Sequence, residues 1–143
     1  MTASSINSSS TSPSPKSAEP VKVLLTGANG QVGRCIIDRA GKYELVSLSR
    51  AELDISDPAQ VEAAFLRYQP QIVINAAAYT AVDRAEQERD AAFAVNAQAP
   101  RNLASACAKA EIPLIHISTD YVFDGSATTP YEPASPTSPL GVY

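Results

Sequence analysis

The 143-residue chain has no tryptophan, one methionine, one histidine, two cysteines and three phenylalanines. Cys35 and Cys107 lie far apart in helical patterns and form neither a C-x-x-C pair nor a metal-ligand spacing. That excludes a disulfide framework and a zinc site, so both are read as buried, reduced thiols and no metal is expected. No apolar run is long enough to span a bilayer. Basic charge is also short: the net charge of −4 argues against nucleic acid and against an anionic membrane surface. The first segment, Met1 to Pro20, is rich in Ser, Thr and Pro and almost free of apolar residues. It cannot bury enough surface to offset its ordering entropy, so disorder is expected. It lacks the apolar core of a secretory signal. Its only basic residue is Lys16, whereas a transit peptide carries several arginines, so a cytoplasmic protein is the expectation.

What remains, residues 21–143, fits one domain with 45% hydrophobic and 18% charged residues over the whole chain. Val21 to Thr26 is an apolar run that ends in Gly27-Ala28-Asn29-Gly30-Gln31-Val32-Gly33. Val32, Ile36, Ile37 and Ala40 follow at helical spacing. Strand, glycine loop and helix in that order form the context of a dinucleotide fingerprint. One glycine permits the sharp turn and one lets backbone approach a pyrophosphate. The third lets helix and sheet pack closely. The spacing is G-x-x-G-x-x-G rather than G-x-G-x-x-G.

Downstream, Gly41 reads as a helix stop and Leu45 to Leu48 as a second strand. Asp57-Pro58 reads as a helix cap with proline in the first turn, and Val61, Ala64, Phe65 and Tyr68 form one apolar face. Ile72 to Asn75 is a third strand, and Pro113 to Ile117 a fourth. Between them a long helix is expected from about Arg89 to Lys109, bent where Pro100 cannot bond the Asn96 carbonyl. Asn96 then either supports the floor of a site or caps the kink. Glu86, Glu88, Arg89 and Asp90 read as a solvated helix start. His116 alternates with Ile115 and Ile117 and is read as a buried, hydrogen-bonded core histidine.

The alternation predicts an α/β chain: a Rossmann-like, doubly wound parallel sheet, truncated after about four strands, with an incomplete NAD(P)-binding domain over residues 21–143. The strand order is expected to be third, second, first, fourth, with the ligand crevice between the first and the fourth. Gly27–Gly33, Asn75–Tyr79 and Ser118–Asp120 all fall at carboxyl ends of strands. At the end of the second strand, Ser49-Arg50 suits a ribose 2′-phosphate, which favours NADPH over NADH, and Asp54 is placed to meet the adenine. In Ile117-Ser118-Thr119-Asp120-Tyr121-Val122-Phe123-Asp124-Gly125, hydroxyls and a carboxylate follow a strand directly. Tyr143 lies within reach of a returning loop, and a phenol can protonate a carbonyl oxygen if its pKa is lowered.

Three stretches together resemble the dTDP-4-dehydrorhamnose reductase family of extended short-chain dehydrogenase/reductases. They are Leu24 to Gly33, Asn75-Ala76-Ala77-Ala78-Tyr79-Thr80-Ala81-Val82-Asp83-Arg84-Ala85-Glu86, and Ser118 to Gly125, followed by Pro130-Tyr131 and Pro136 to Tyr143. The resemblance implies NADPH- or NADH-dependent reduction of the C4 ketone of dTDP-4-dehydro-L-rhamnose. It gives Thr119 the ketone oxygen and Tyr143 the proton, and it sets Asp120 beside the substrate. Gly30, Gln31 and Val32 would hold the pyrophosphate, Asp54 and Ile55 would flank the adenine, and Ala78, Tyr79 and Thr80 would line the nicotinamide half. Gly27, Asn29, Ser49, Arg50, Ala76 and Ala77 complete the expected cofactor-binding set. The partner implied is a dTDP-sugar, and a homodimer of a full-length protein is compatible with it. Tyrosine in this family is followed four residues later by lysine; the sequence stops at Tyr143. An inactive fragment with an exposed apolar edge at the fourth strand is therefore expected. Two other readings remain open. One is a non-catalytic nucleotide-binding relative such as a methionine adenosyltransferase regulatory subunit, and the other is a nucleotide-sugar epimerase.

Overall fold

The computed structural model describes residues 19–143, so the disorder expected for Met1 to Pro20 lies outside the described residues apart from Glu19 and Pro20. Four parallel strands form one sheet: β1 (Lys22–Thr26), β2 (Glu44–Leu48), β3 (Ile72–Asn75) and β4 (Leu114–His116). The helices are α1 (Gln31–Ile37), α2 (Pro58–Tyr68), α3 (Val82–Ala85), α4 (Arg89–Phe93) and α5 (Ala99–Ala110). A π-helical turn, Ala94–Gln98, joins α4 to α5, and a 3-10 turn, Asp120–Val122, follows β4.

The expected α/β architecture is present, but the strand order is β2-β1-β3-β4, not third-second-first-fourth. Side-chain parity supplies the reason. Leu24, Leu48 and Val73 point to the face that packs Val61 and Ala64 of α2 and Ala99, Leu103 and Cys107 of α5. Val23, Leu45, Ile72, Ile74 and Ile115 point to the opposite face, toward Val32, Cys35 and Ile36 at α1. The chain therefore crosses from β1 to β2 on one face and from β2 to β3 on the other. Two right-handed crossovers on opposite faces must step in opposite directions, so the chain leaving β2 returns past β1 and β3 pairs with the free side of β1. The crevice accordingly opens between β1 and β3, the point at which the order reverses, rather than between β1 and the fourth strand.

Asp57 caps α2 as its spacing suggests: its carboxylate accepts the Ala59 N–H at 2.9 Å, and Pro58 occupies the first turn. Gln69 ends the helix in the left-handed conformation (φ 47°) just before Pro70. Phe65 and Tyr68 pack against the core, as the periodicity requires. The single helix expected over Arg89 to Lys109 runs without a break to Ala110, widened at Ala94–Gln98 into a π-helical turn. Pro100 sits in the first turn of α5, and the wide turn before it accommodates the missing proline N–H.

Leu24, Val61, Val73, Ala99 and Leu103 are at most 1% exposed and form the centre of the core. The α1 face is less covered: a groove of about 690 Å³ remains along it, and Ile115 is 50% exposed. Among the described residues β4 is an edge of the sheet, as anticipated, and β2 is the other. Cys107 is buried, but Cys35 is exposed, contrary to expectation, because its side of α1 opens onto that groove.

Candidate functional site

The glycine loop leaves β1 through Gly27, whose φ of +77° favours glycine. A Cβ there would lie 2.6 Å from the backbone of Ala76 and Ala77, so the loop rests directly on the end of β3. A Cβ on Gly33 would stand 2.2 Å from the Gly27 carbonyl oxygen, so only glycine lets α1 pack this close. The Gly30 N–H donates to Gly27 O at 3.0 Å, and the Ala28 N–H donates to Leu48 O at 3.3 Å, which ties the loop to β2. Among the described residues no side chain caps α1. The first-turn N–H groups are thus left to an external acceptor, and bare backbone faces the cleft, a fit to a pyrophosphate.

That cleft, about 440 Å³, is walled by Gly27, Asn29 and Gly30 on one side and by Ala76 to Ala81 on the other. Ser49, Arg50, Leu53, Asp54 and Ile55 close its far end. Of the pyrophosphate residues expected from sequence, Gln31 lines the α1-side groove instead, and Val32 borders both that groove and a neighbouring hollow. At the far end the Asp54 carboxylate accepts the Ser56 hydroxyl at 2.6 Å and the Ser56 N–H at 3.0 Å. These bonds, with a contribution from the charge of Arg50, hold it below the usual carboxylate range. Asn102 of α5 donates to the carbonyls of Ile55 and Ser56, each at 3.1 Å, and so fixes this wall from behind. Glu52 accepts the Ser49 N–H and hydroxyl at 2.8 and 2.7 Å. Its pKa is lowered by the Ser49 hydroxyl first and the Ser49 amide second.

Beneath the cleft floor, Thr26, Asn75 and His116 stand side by side in the register of β1, β3 and β4. Thr26 Oγ1 donates to Asn75 Oδ1 at 2.6 Å, and the Ala77 N–H donates to the same oxygen at 3.1 Å. With that oxygen taken twice, Asn75 Nδ2 faces His116 Nδ1 at 3.0 Å, so Nδ1 accepts and the proton resides on Nε2. His116 is hydrogen-bonded as expected but exposed rather than buried, because β4 has no neighbour on its outer side among the described residues.

A second hollow of about 240 Å³ continues the cleft past β3. Its walls are Ala76, Ala77, Ala78, Asn96, His116, Ser118, Thr119 and Tyr143, with Val32, Ile117 and Val122. The two residues expected to carry chemistry, Thr119 and Tyr143, thus share one small cavity. The Thr119 hydroxyl accepts the Tyr121 N–H at 3.2 Å and lies 3.3 Å from Asp120 Oδ1. Asp120 itself opens onto a third hollow, of about 540 Å³, which also contains Tyr121 and Tyr143. Tyr121 is 57% exposed and meets the Tyr143 ring edge-on at 5.5 Å between centroids.

Asn96 is not a cap of the kink. From the π turn its Oδ1 accepts the Tyr79 N–H at 2.8 Å, and its Nδ2 donates to the Tyr79 carbonyl at 3.0 Å. The Tyr79 hydroxyl donates to Glu88 at 2.6 Å. Tyr79 is therefore held at both ends, and the strip from Ala76 to Thr80 that separates the two hollows is fixed. Sequence reading missed Asn75, His116, Asn102 and Leu53 as supports of the site. An asparagine closing an apolar strand before three alanines was the signal that could have revealed the first.

Known proteins with this arrangement are consistent with one another. The sequence profile described as the RmlD substrate binding domain matches residues 21–143. A dTDP-4-dehydrorhamnose reductase of Streptomyces griseus is 46% identical over 123 residues, covering 84% of this chain and 40% of that protein. The crystal structure of a dTDP-4-dehydrorhamnose reductase from Clostridium acetobutylicum superposes with a TM-score of 0.83 at 40% identity, over 86% of this chain and 45% of that one. The Bacillus anthracis dTDP-4-dehydrorhamnose reductase, solved in complex with NADP, gives a TM-score of 0.84 at 37% identity, over 87% of this chain and 45% of that one. The chain spans about two fifths of the length of the curated relative it matches. With the profile running from Val21 to Tyr143, the chain belongs to the RmlD substrate binding domain family.

Proposed function

We propose that the chain provides the coenzyme-binding part of an NADP(H)-dependent reductase for the C4 ketone of a dTDP-4-dehydro sugar, dTDP-4-dehydro-L-rhamnose in the first instance. The observation that carries this reading is the shared cavity of Thr119 and Tyr143, which opens beside the cleft walled by the glycine loop and Ala76 to Thr80. The uncapped amides of α1 and the loop take the pyrophosphate, Arg50 the 2′-phosphate, and Asp54 with Ile55 the adenine. Bound there, the reduced nicotinamide supplies a hydride to the carbonyl carbon. Thr119 holds the carbonyl oxygen, and Tyr143 delivers a proton to that oxygen as the C–O double bond becomes an alcohol. Asp120 orients the sugar. Homologues named as reductases of this ketone and a structural neighbour solved with NADP support the assignment. By itself the 143-residue chain binds coenzyme without turnover.

Calorimetric titration of the chain with NADPH and NADH tests the proposal. Heat with NADPH, weakened by Arg50→Asp, is expected; no heat with either coenzyme overturns it. Oxidation of NADPH by the chain in the presence of the sugar nucleotide would refute the inactive-fragment part alone.

A further inference from the structure

Tyr143 stands at the end of a long irregular stretch. After the 3-10 turn at Asp120–Val122 the chain makes no helix or strand. Phe123 and Tyr131 stack at 4.2 Å, and the Ser138 N–H donates to Val122 O at 2.9 Å. Such a stretch leaves a side chain at its end poorly determined unless something on the rigid body takes hold of it. Glu86, the residue directly after α3, does so. Its Oε1 accepts the Val142 N–H at 2.8 Å, across 56 positions of sequence. Its Oε2 lies 3.7 Å from the Arg89 guanidinium of α4. The base beneath it is firm: Ala85 is fully buried, and the Ala85 and Glu88 N–H groups donate to Ala81 and Arg84 at 2.9 and 2.8 Å. Gly141 passes so near that a Cβ would lie 3.2 Å from Glu86 Oε1, so the strand of chain before Tyr143 lies flat on the carboxylate.

We propose that Glu86 is a positioning residue for Tyr143. Its carboxylate grips the amide next to the tyrosine, Arg89 orients that carboxylate, and the phenol is thereby pressed against Tyr121 on the wall it shares with Thr119. The charge run that reads as a solvated helix start thus contains the latch for the far end of the chain. The significance of the latch for proton delivery rests on the reading of Tyr143 given above, but the latch itself is testable without it.

The test is amide hydrogen exchange by NMR on the complete 143-residue chain, with Glu86→Ala and Glu86→Gln beside it. A hydrogen bond to a charged acceptor slows exchange by about tenfold or more. Glu86→Ala is expected to speed Val142 exchange by about that factor and to abolish the Tyr121–Tyr143 ring contacts in nuclear Overhauser spectra. Leu24 and Val73 exchange should not change. Glu86→Gln keeps an acceptor oxygen and should restore both signals, which a general loss of packing would not do. Equal Val142 exchange in the unaltered chain and Glu86→Ala overturns the proposal. Should Glu86→Ala also loosen Leu24 and Val73, Glu86→Gln decides: with an acceptor oxygen retained and the core intact, Val142 must stay protected, and Val142 exchange as fast as in Glu86→Ala refutes the latch. A coenzyme titration of the unaltered chain separates the two readings. Absence of heat there removes the role assigned to Tyr143 and leaves the latch, whereas unprotected Val142 removes the latch and leaves the cleft.

Discussion

Replacing Asn75 by leucine perturbs the row of side chains that ties β1, β3 and β4 together. Asn75 is fully buried and has as many side-chain heavy atoms as leucine, but leucine's methyls are bulkier, so overpacking of about 1–3 kcal/mol adds to the loss of polar pairing. Thr26 Oγ1–H, 2% exposed, loses its acceptor, and so does the Ala77 N–H. A buried donor without a partner costs about 1–3 kcal/mol, which applies in full to Thr26; the Ala77 N–H is only half-buried at the cleft wall and adds less. His116 is exposed and can turn to water, so it adds little. Against a typical stability of 5–15 kcal/mol this is a large fraction. Urea unfolding followed by circular dichroism reads it as a fall in midpoint at constant slope. The reasoning makes a sharper claim in the double variant. Thr26→Val removes one of the stranded donors, so adding it to Asn75→Leu should recover about 1–2 kcal/mol, while Thr26→Val alone destabilises. A loss below about 1 kcal/mol in Asn75→Leu, or no recovery in the double variant, refutes the account.

Three further outcomes are expected. Gly33→Ala places a Cβ where the Gly27 carbonyl oxygen already stands, 2.2 Å away. It should abolish NADPH heat in calorimetry, and retained affinity would contradict the close-approach argument. Glu52→Gln removes a negative charge from beside the Ser49 amide at the adenosine end of the cleft. Affinity for NADPH relative to NADH should rise roughly two- to fivefold, the range a screened surface charge commands, and an unchanged ratio would count against it. Asp54 and Asp124 both have pKa values lowered in the fold, chiefly by their bonds to Ser56 and Ser126. A carboxylate depressed on folding stabilises the native state above its unfolded pKa, so stability should be flat near neutrality. It should fall as pH drops below about 4 through the folded values. Asp54→Asn should flatten that decline in a pH series of urea midpoints, and an unaltered slope would refute the contribution of Asp54.

Local features were legible in the sequence wherever one short-range cause dominates. The Asp57-Pro58 cap, the glycine loop after β1 and the four apolar strands depend on neighbours a few residues away. Strand order did not follow from them, because it depends on which sheet face each crossing helix covers. The parity of Leu24 against Val23 carries that information only once α2 and α5 are known to lie together. The wall residues Asp54, Ala76 to Thr80 and Thr119 could be placed because they sit at strand ends. Asn96 and Glu86 could not be assigned, since each acts on backbone 17 or 56 positions away. A polar side chain that bonds remote main chain leaves no periodic mark. His116 was misjudged as buried for a related reason: alternation with isoleucine shows that a strand is apolar, not that both its flanks are occupied.

The contact between the Gly33 position and the Gly27 carbonyl has a consequence for any anion that arrives at α1. With helix and loop already touching and the Gly30 amide tied down, the turn is held in its shape before any ligand arrives. An incoming diphosphate therefore loses little free energy to rearranging its host. The same rigidity limits what can be accommodated: a guest bulkier than a slim diphosphate finds no slack in the turn, so shape adds to the selection made by the free amides.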